Sequence, residues 1–310
     1  MRRIAFEGWR NAVELRNESV RVVVVPQVGR ILYFGPFEGP NLIWIHPELR
    51  GRLLREVSPQ IEGPDMVWAN FGGDKVWPVE QFRWTEVNGR AWPPDPWFDG
   101  HPHDIDIRDG EVTLTGPISV LCGARIIRTI RLEASGAVIR QRLEKVRSGR
   151  REDLEPIPLT IWSVTQVVQP DEILFPLHPR SRFPGQIFIY DENPVTSANT
   201  SREDGTGILI PSDTDHQKIG TDGDGWMAAV CGDHAFAQKF HKEPDGVYPE
   251  NGLSVEVYTS PECYTELEVL SPLKRLEPGQ SMESEIFWEW IPLAAGTAAH
   301  KRRQIREALR

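Results

Sequence analysis

Hydrophobic and polar residues alternate along most of the chain with a period of two, the spacing that turns one face of a strand toward a core. "AVELRN" (12–17) alternates, and "VRVVVVP" (20–26) is a β-branched run stopped by proline, which predicts a hairpin across Glu18 and Ser19. "GRILYFGP" (29–36) continues the meander. Strand signals return at "EVTLTGPISVL" (111–121), then at "ARIIRTIRLE" (124–133) and "AVIRQRLEKV" (137–146), which flank the turn "ASG". A long β-rich run, "IPLTIWSVTQVV" (157–168), follows. Further strands are expected at 225–231, 235–241, 253–260, 263–271 and 282–290. A helical pattern is clear only in "TAAHKRRQIREALR" (297–310). Without a strand–helix rhythm a parallel α/β sheet is disfavoured. The expectation is an all-β protein: one large antiparallel sandwich over residues 1–295 and a short basic C-terminal helix over 296–310.

The alternation breaks between about Asp65 and Gly110, where Trp, Pro, Gly and Asp crowd together. A long irregular stretch inside a compact domain is usually functional or disordered, and the tryptophans argue against disorder. Five of the chain's 11 tryptophans lie here: Trp68, Trp77, Trp84, Trp92 and Trp97. Their flat apolar faces and single N–H donors suit either loop packing or stacking against sugar rings. Within the stretch, "NFGGDKVWPVEQ" (70–81) combines two glycines, an acid, a base and two amides. Gly72 and Gly73 permit positive φ or close backbone approach. Asn70 and Gln81 offer donors and acceptors together, as a polyol requires. Lys75 either forms a surface pair with a nearby acid or points inward toward a ligand.

Composition narrows the function. The 310 residues, 39% hydrophobic and 26% charged, suit a soluble globular chain. A net charge of −10 disfavours nucleic acid, which is held by clustered Lys and Arg. Cys122, Cys231 and Cys263 are scattered, so neither a disulfide framework nor a zinc knuckle is suggested. No secretory signal or membrane-length apolar run is evident, so a cytoplasmic location is expected, with no membrane partner. No GxGxxG, P-loop or GxSxG motif is present, and no cofactor is implied. Whether the chain forms a homodimer is left open.

These pieces together resemble a known superfamily. "NAVELRNESVRVVVVPQVGRILYF" is similar to the opening of galactose mutarotase-like proteins, where such strands begin a large β-supersandwich. "GGDKVWPVEQ" falls where hexose-6-phosphate epimerases of that superfamily carry a Gly-Gly…Trp-Pro segment. "YTELEVLSPLKRLEPGQSMESEIFWEW" resembles the superfamily's closing strands. Within it, the chain is most similar to the DUF4380 proteins, over roughly residues 8 to 292.

The resemblance implies sugar-ring opening, in which a glutamate takes the anomeric hydroxyl proton and a histidine protonates the ring oxygen. The glutamate position falls on "TELEV", making Glu266 or Glu268 the candidate base. Two residues apart on a strand, they share a face, and their repulsion would raise one pKa. The family's histidine strand corresponds to "LTIWSVTQ" (159–166), which contains none. Trp162 and Gln166 there suit stacking and hydroxyl binding. His103 is the substitute carried forward as a catalytic candidate, with His101 beside it; the His-x-His spacing also raises a metal question, although Pro102 suggests a loop. His241 reads as structural. The expected pocket is therefore lined by Asn70, Asp74, Lys75, Trp77, Gln81, Trp162, Gln166, Glu266 and Glu268, with no metal. Its expected ligand is a monosaccharide or sugar acid, free or phosphorylated, which is epimerised at C1 or merely bound. A glycoside-processing hydrolase or lyase, with two facing carboxylates, is the more distant alternative.

Overall fold

The computed structural model describes residues 1–63 and 65–309. Among these residues the strands form two ten-stranded antiparallel sheets and one short two-stranded ribbon. Across the first sheet run Arg2–Phe6, Trp9–Arg16, Val20–Val25, Arg30–Pro36, Asp74–Trp77, Trp162–Val168, Tyr264–Leu270, Val255–Ser260, Gln217–Thr221 and Phe188–Ile189. The second sheet runs from Thr200–Glu203 through Glu172–Pro176 and Ser281–Pro292 to Asp104–Arg108. The core lies between the sheets, where Phe34, Phe236 and Trp288 meet with ring centroids 5.2–5.5 Å apart.

The expected hairpins are present. Trp9–Arg16 turns into Val20–Val25 at Asn17, whose Oδ1 accepts the backbone N–H groups of Ser19 and Val20 at 2.8 Å. Ala124–Leu132 and Gly136–Lys145 pair through nine residues. The expected strand 111–121 stops at Thr115, before Gly116 and Pro117. The run 157–168 is broken into Pro158–Leu159 and Trp162–Val168. Thr160 leaves the ladder because its N–H bonds to Pro78 and its Oγ1 to Ser271.

The stretch 65–110 is not irregular throughout. Asp74–Trp77 is a central strand of the first sheet and Asp104–Arg108 an edge strand of the second. The two glycines before it serve the fold. Gly72 and Gly73 have φ of +83° and +80°, and a Cβ on Gly72 would sit 2.3 Å from the Trp44 carbonyl oxygen. Only glycine fits that conformation at that distance. The C-terminal helix spans Ala298–Ala308. It buries Ile305 against the second sheet and anchors there through Arg302 to Glu172 and Glu203. Among the described residues, no helix is long and apolar enough to cross a membrane.

Candidate functional site

The site lies on the outer face of the first sheet, and strand register decides which residues reach it. In an antiparallel ladder, residues directly opposite each other project from the same face. Gln166 pairs with Glu266, and Glu266 with Tyr258. Val164 pairs with Lys75 and Glu268, Glu268 with Glu256, and Tyr258 with Lys218. Trp77 pairs with Trp162. Five neighbouring strands therefore present Lys75, Trp77, Trp162, Gln166, Lys218, Glu256, Tyr258, Glu266 and Glu268 on one surface.

Glu266 and Glu268 share a face, as their spacing predicts, and both line a hollow of about 220 Å³ with Trp68, Trp77, Gln81, Trp92, Lys218, Tyr258 and Tyr264. Their surroundings differ. Glu266 Oε1 accepts from Lys75 Nζ at 3.1 Å and from Gln166 Nε2 at 2.9 Å. Lys75 is fully buried under Trp68 and Trp77, with Nζ 5.8 and 5.0 Å from their ring centroids. Burial lowers its pKa, Glu266 opposes that shift, and Arg30 adds to it. Glu268 accepts from Trp162 Nε1 at 2.6 Å. Burial raises its pKa well above the usual carboxylate range; Lys218 opposes this, while Glu256 and Glu266 reinforce it. One carboxylate is thus held by a buried ammonium, and the other is pushed toward its protonated form.

A second acidic group adjoins them. Lys218 Nζ pairs with Glu256 at 2.7 Å and sits over the rings of Trp162 and Tyr190. The Tyr190 hydroxyl lies within hydrogen-bonding range of both Glu250 and Glu256, at 2.8 Å from the latter. A phenol has one proton to give, so one of these carboxyls must carry a proton to complete both bonds. Consistent with that geometry, burial and Glu256 raise the Glu250 pKa to about 7. Glu250 also receives the Gln81 backbone N–H at 3.2 Å and so ties down the pocket rim.

The tryptophan walls are held from behind. Asp99 pairs with the buried guanidinium of Arg30 and accepts from Trp77 Nε1 at 2.9 Å and Trp68 Nε1 at 3.2 Å. Of the five clustered tryptophans, Trp68, Trp77 and Trp92 line the hollow. Trp84 is core, packed against Trp77 and Trp162, and Trp97 stacks on His101. The cluster is thus divided between packing residues and residues that line the hollow.

Several expected site residues lie elsewhere. Asp74 projects from the opposite face, into the sandwich, where it pairs with Arg128 and accepts from Thr165 Oγ1 at 2.7 Å. Its place in the pocket is corrected by the alternation of the strand that carries it. Trp162 and Gln166 are fully buried and form the layer beneath the hollow, not its lining. Asn70 lines a neighbouring hollow of about 480 Å³ instead. His103 is not at the site: it is wedged against Gly29 and Gly116, its Nδ1 3.0 Å from the His101 carbonyl. Burial lowers its pKa to about 4. His101 is paired with Trp97, and His241 is exposed beside Asp224. None of these three lines the hollow that holds Glu266.

Sequence reading missed Lys218, Tyr258, Tyr264, Glu256, Glu250, Tyr190 and Asp99. A signal existed for two of them: "VEVYTS" places Glu256 and Tyr258 on one face of a strand pairing with the glutamate strand. Lys218 gave none, because its five-residue strand lies in a stretch that reads as polar loop.

The two ten-stranded antiparallel sheets match the sandwich fold of galactose mutarotase-like proteins. A galactose mutarotase-like protein from Lactobacillus casei superposes with a TM-score of 0.58 at 9% identity, covering 90% of this chain and 100% of its own. A galactose mutarotase related enzyme from Lactobacillus acidophilus gives 0.55 at 10% identity, covering 93% and 98%. At such identities the likeness is one of fold. No curated protein matches the sequence. The chain belongs to the DUF4380 family, a domain of unknown function, whose model matches residues 11–291.

Proposed function

We propose that the outer face of the first sheet binds a reducing sugar and catalyses exchange of its anomers, with Glu266 as base and Glu268 as acid. The observation that carries this is the different setting of the two carboxyls: Glu266 is paired with the buried Lys75 ammonium, while burial raises Glu268 toward its protonated form, which suits a base beside an acid. Glu266, held by Lys75 and Gln166, takes the proton of the anomeric hydroxyl. Glu268 gives its proton to the ring oxygen as the C1–O5 bond breaks. The aldehyde turns about C1–C2, the ring recloses on its other face, and both protons return. Glu268 fills the role for which "LTIWSVTQ" supplies no histidine. Trp68, Trp77 and Trp92 provide faces for the sugar ring, and Gln81 and Tyr258 provide polar groups for its hydroxyls.

One observation favours a second reading, a carbohydrate-binding protein without catalysis: Glu268 is already bonded to the indole of Trp162. Saturation-transfer NMR with anomer exchange recorded on the same samples separates the two. Binding with accelerated exchange, lost in Glu266→Gln, supports the epimerase. Binding without acceleration leaves the binding protein, and no sugar bound by the folded protein rejects both.

A further inference from the structure

The hollow around Glu266 is small, about 220 Å³, below the 300–1,000 Å³ common for ligand sites. It does not stand alone. On one side it shares Trp68, Tyr258 and Tyr264 with the 480 Å³ hollow lined by His46, Asn70 and Glu262. On the other it shares Gln81, Lys218 and Tyr258 with a 310 Å³ hollow lined by Phe82, Tyr190 and Asn193. Tyr258 lines all three and His216 both outer ones, so the three hollows adjoin one another around Tyr258 as a segmented groove that includes the glutamate pair.

The lining is chemically one-sided. Among the described residues no arginine lines any part of the groove. Its lysines are committed, Lys75 beneath it to Glu266 and Lys218 to Glu256. Glu48 and Glu262 add acid at one end. The histidines, His46 and His216, lie in the flanking hollows, so a phosphate or carboxylate in the central hollow would meet Glu266 and Glu268 with Lys218 already paired to Glu256. Asn70, 8% exposed, lines the larger hollow, and its Oδ1 has no hydrogen-bond partner in the protein. A buried acceptor of this kind calls for a donor, which a sugar hydroxyl has and an ionised acid group lacks. Beyond the central hollow, Phe82 is 60% exposed, an aromatic face open to solvent at the rim of the third hollow.

We infer that the ligand is a neutral oligosaccharide, at least two sugar units long, with one ring over Glu266 and Glu268 and the next against Phe82 or Asn70. Sugar phosphates and uronic acids are excluded by charge. This rests on the carbohydrate reading of the site but not on its catalysis. The chain length of the ligand is then set by the groove, and the aromatic and amide groups outside the central hollow supply the extra affinity.

The test is a titration of the 310-residue protein and of Glu266→Gln by ligand-observed NMR. The panel is glucose, galactose, mannose and xylose, their neutral β-1,4- and α-1,4-linked trisaccharides, trigalacturonic acid and glucose 6-phosphate. At least one neutral trisaccharide is expected to bind ten-fold or more tightly than its monosaccharide, and Phe82→Ala or Asn70→Ala to shrink that ratio. A monosaccharide binding as tightly as every trisaccharide overturns the inference, as does preferred binding of either anion. Failure of every neutral trisaccharide to bind also overturns it. The chain-length ratio is read in Glu266→Gln as well, so absence of accelerated anomer exchange in the unaltered protein rejects the catalytic reading and leaves this one standing.

Discussion

Asp74 and Lys75 are neighbours in sequence and equally buried at 1% exposure, yet they belong to opposite sides of the first sheet. Asp74 faces the sandwich interior and closes a network with Arg128, Thr165 and, through Thr165 Oγ1, Gln238 at 2.7 Å. Lys75 faces outward and closes a network with Glu266 and Gln166. Both are buried ion pairs. The inner pair joins the two sheets, whereas the outer pair lies at the floor of the hollow that holds Glu268. A buried ion pair is therefore uninformative about function until the face it occupies is known.

The comparison breaks most sharply at Glu266. In Glu266→Gln, loss of the base is expected to slow anomer exchange by about 10²–10⁴-fold, measured by exchange NMR. The Lys75 ammonium left behind has a pKa already lowered by burial, so it can shed its proton and spare the fold. Asp74→Ala is expected to do the reverse. It strands the fully buried Arg128, which stays charged, and should cost about 3–5 kcal/mol by denaturant melts. Exchange per folded molecule should change little. If Glu266→Gln proves the more destabilising of the two, the functional and structural assignments of the two faces are wrong.

A smaller effect sharpens the same contrast through pH. The Glu250 pKa is raised to about 7 from 4.5 by burial and by Glu256. A carboxyl whose folded pKa is raised stabilises the fold fully below its unfolded pKa and loses that contribution as pH rises through the folded value. Stability should therefore fall between about pH 4.5 and pH 7, by on the order of 3 kcal/mol at most, since one pKa unit is about 1.4 kcal/mol. Glu250→Gln, which keeps a donor toward Tyr190 without titrating, should flatten the decline in urea melts across this range. An unchanged slope would remove the shared proton from the Tyr190 cluster.

Much of the fold was legible because its signals are local. Alternation and turn residues place the hairpins across Glu18 and Ser19 and at the turn "ASG" (134–136), and the spacing of Glu266 and Glu268 fixes them on one face. What stayed hidden depends on register between distant strands. Lys75 meets Glu266 across 191 residues, and nothing within "GGDKVWP" tells which of Asp74 and Lys75 faces out. Burial depth was hidden too. Trp162 and Gln166 are expected from sequence as pocket lining, whereas packing places them beneath the hollow. His103 misled because its context resembled a ligand loop, while Gly29 and Gly116 leave room for its ring and nothing more.

The smallest predicted effect falls on Trp92, the most exposed wall of the central hollow at 46%. Its ring meets Trp68 and Trp84 at 4.8 and 5.6 Å, yet half of it faces solvent, so its removal leaves no sealed cavity. Trp77, by contrast, is 4% exposed and bonded to Asp99, so its loss would disturb the fold and the site together. Trp92→Ala is thus the cleaner probe of stacking. An aromatic contact contributes about 0.5–1.5 kcal/mol beyond area burial, so sugar affinity should weaken by roughly 2- to 12-fold while the melting temperature barely moves. A fall in melting temperature with unchanged affinity would make Trp92 a packing residue and leave sugar stacking to Trp68 and Trp77.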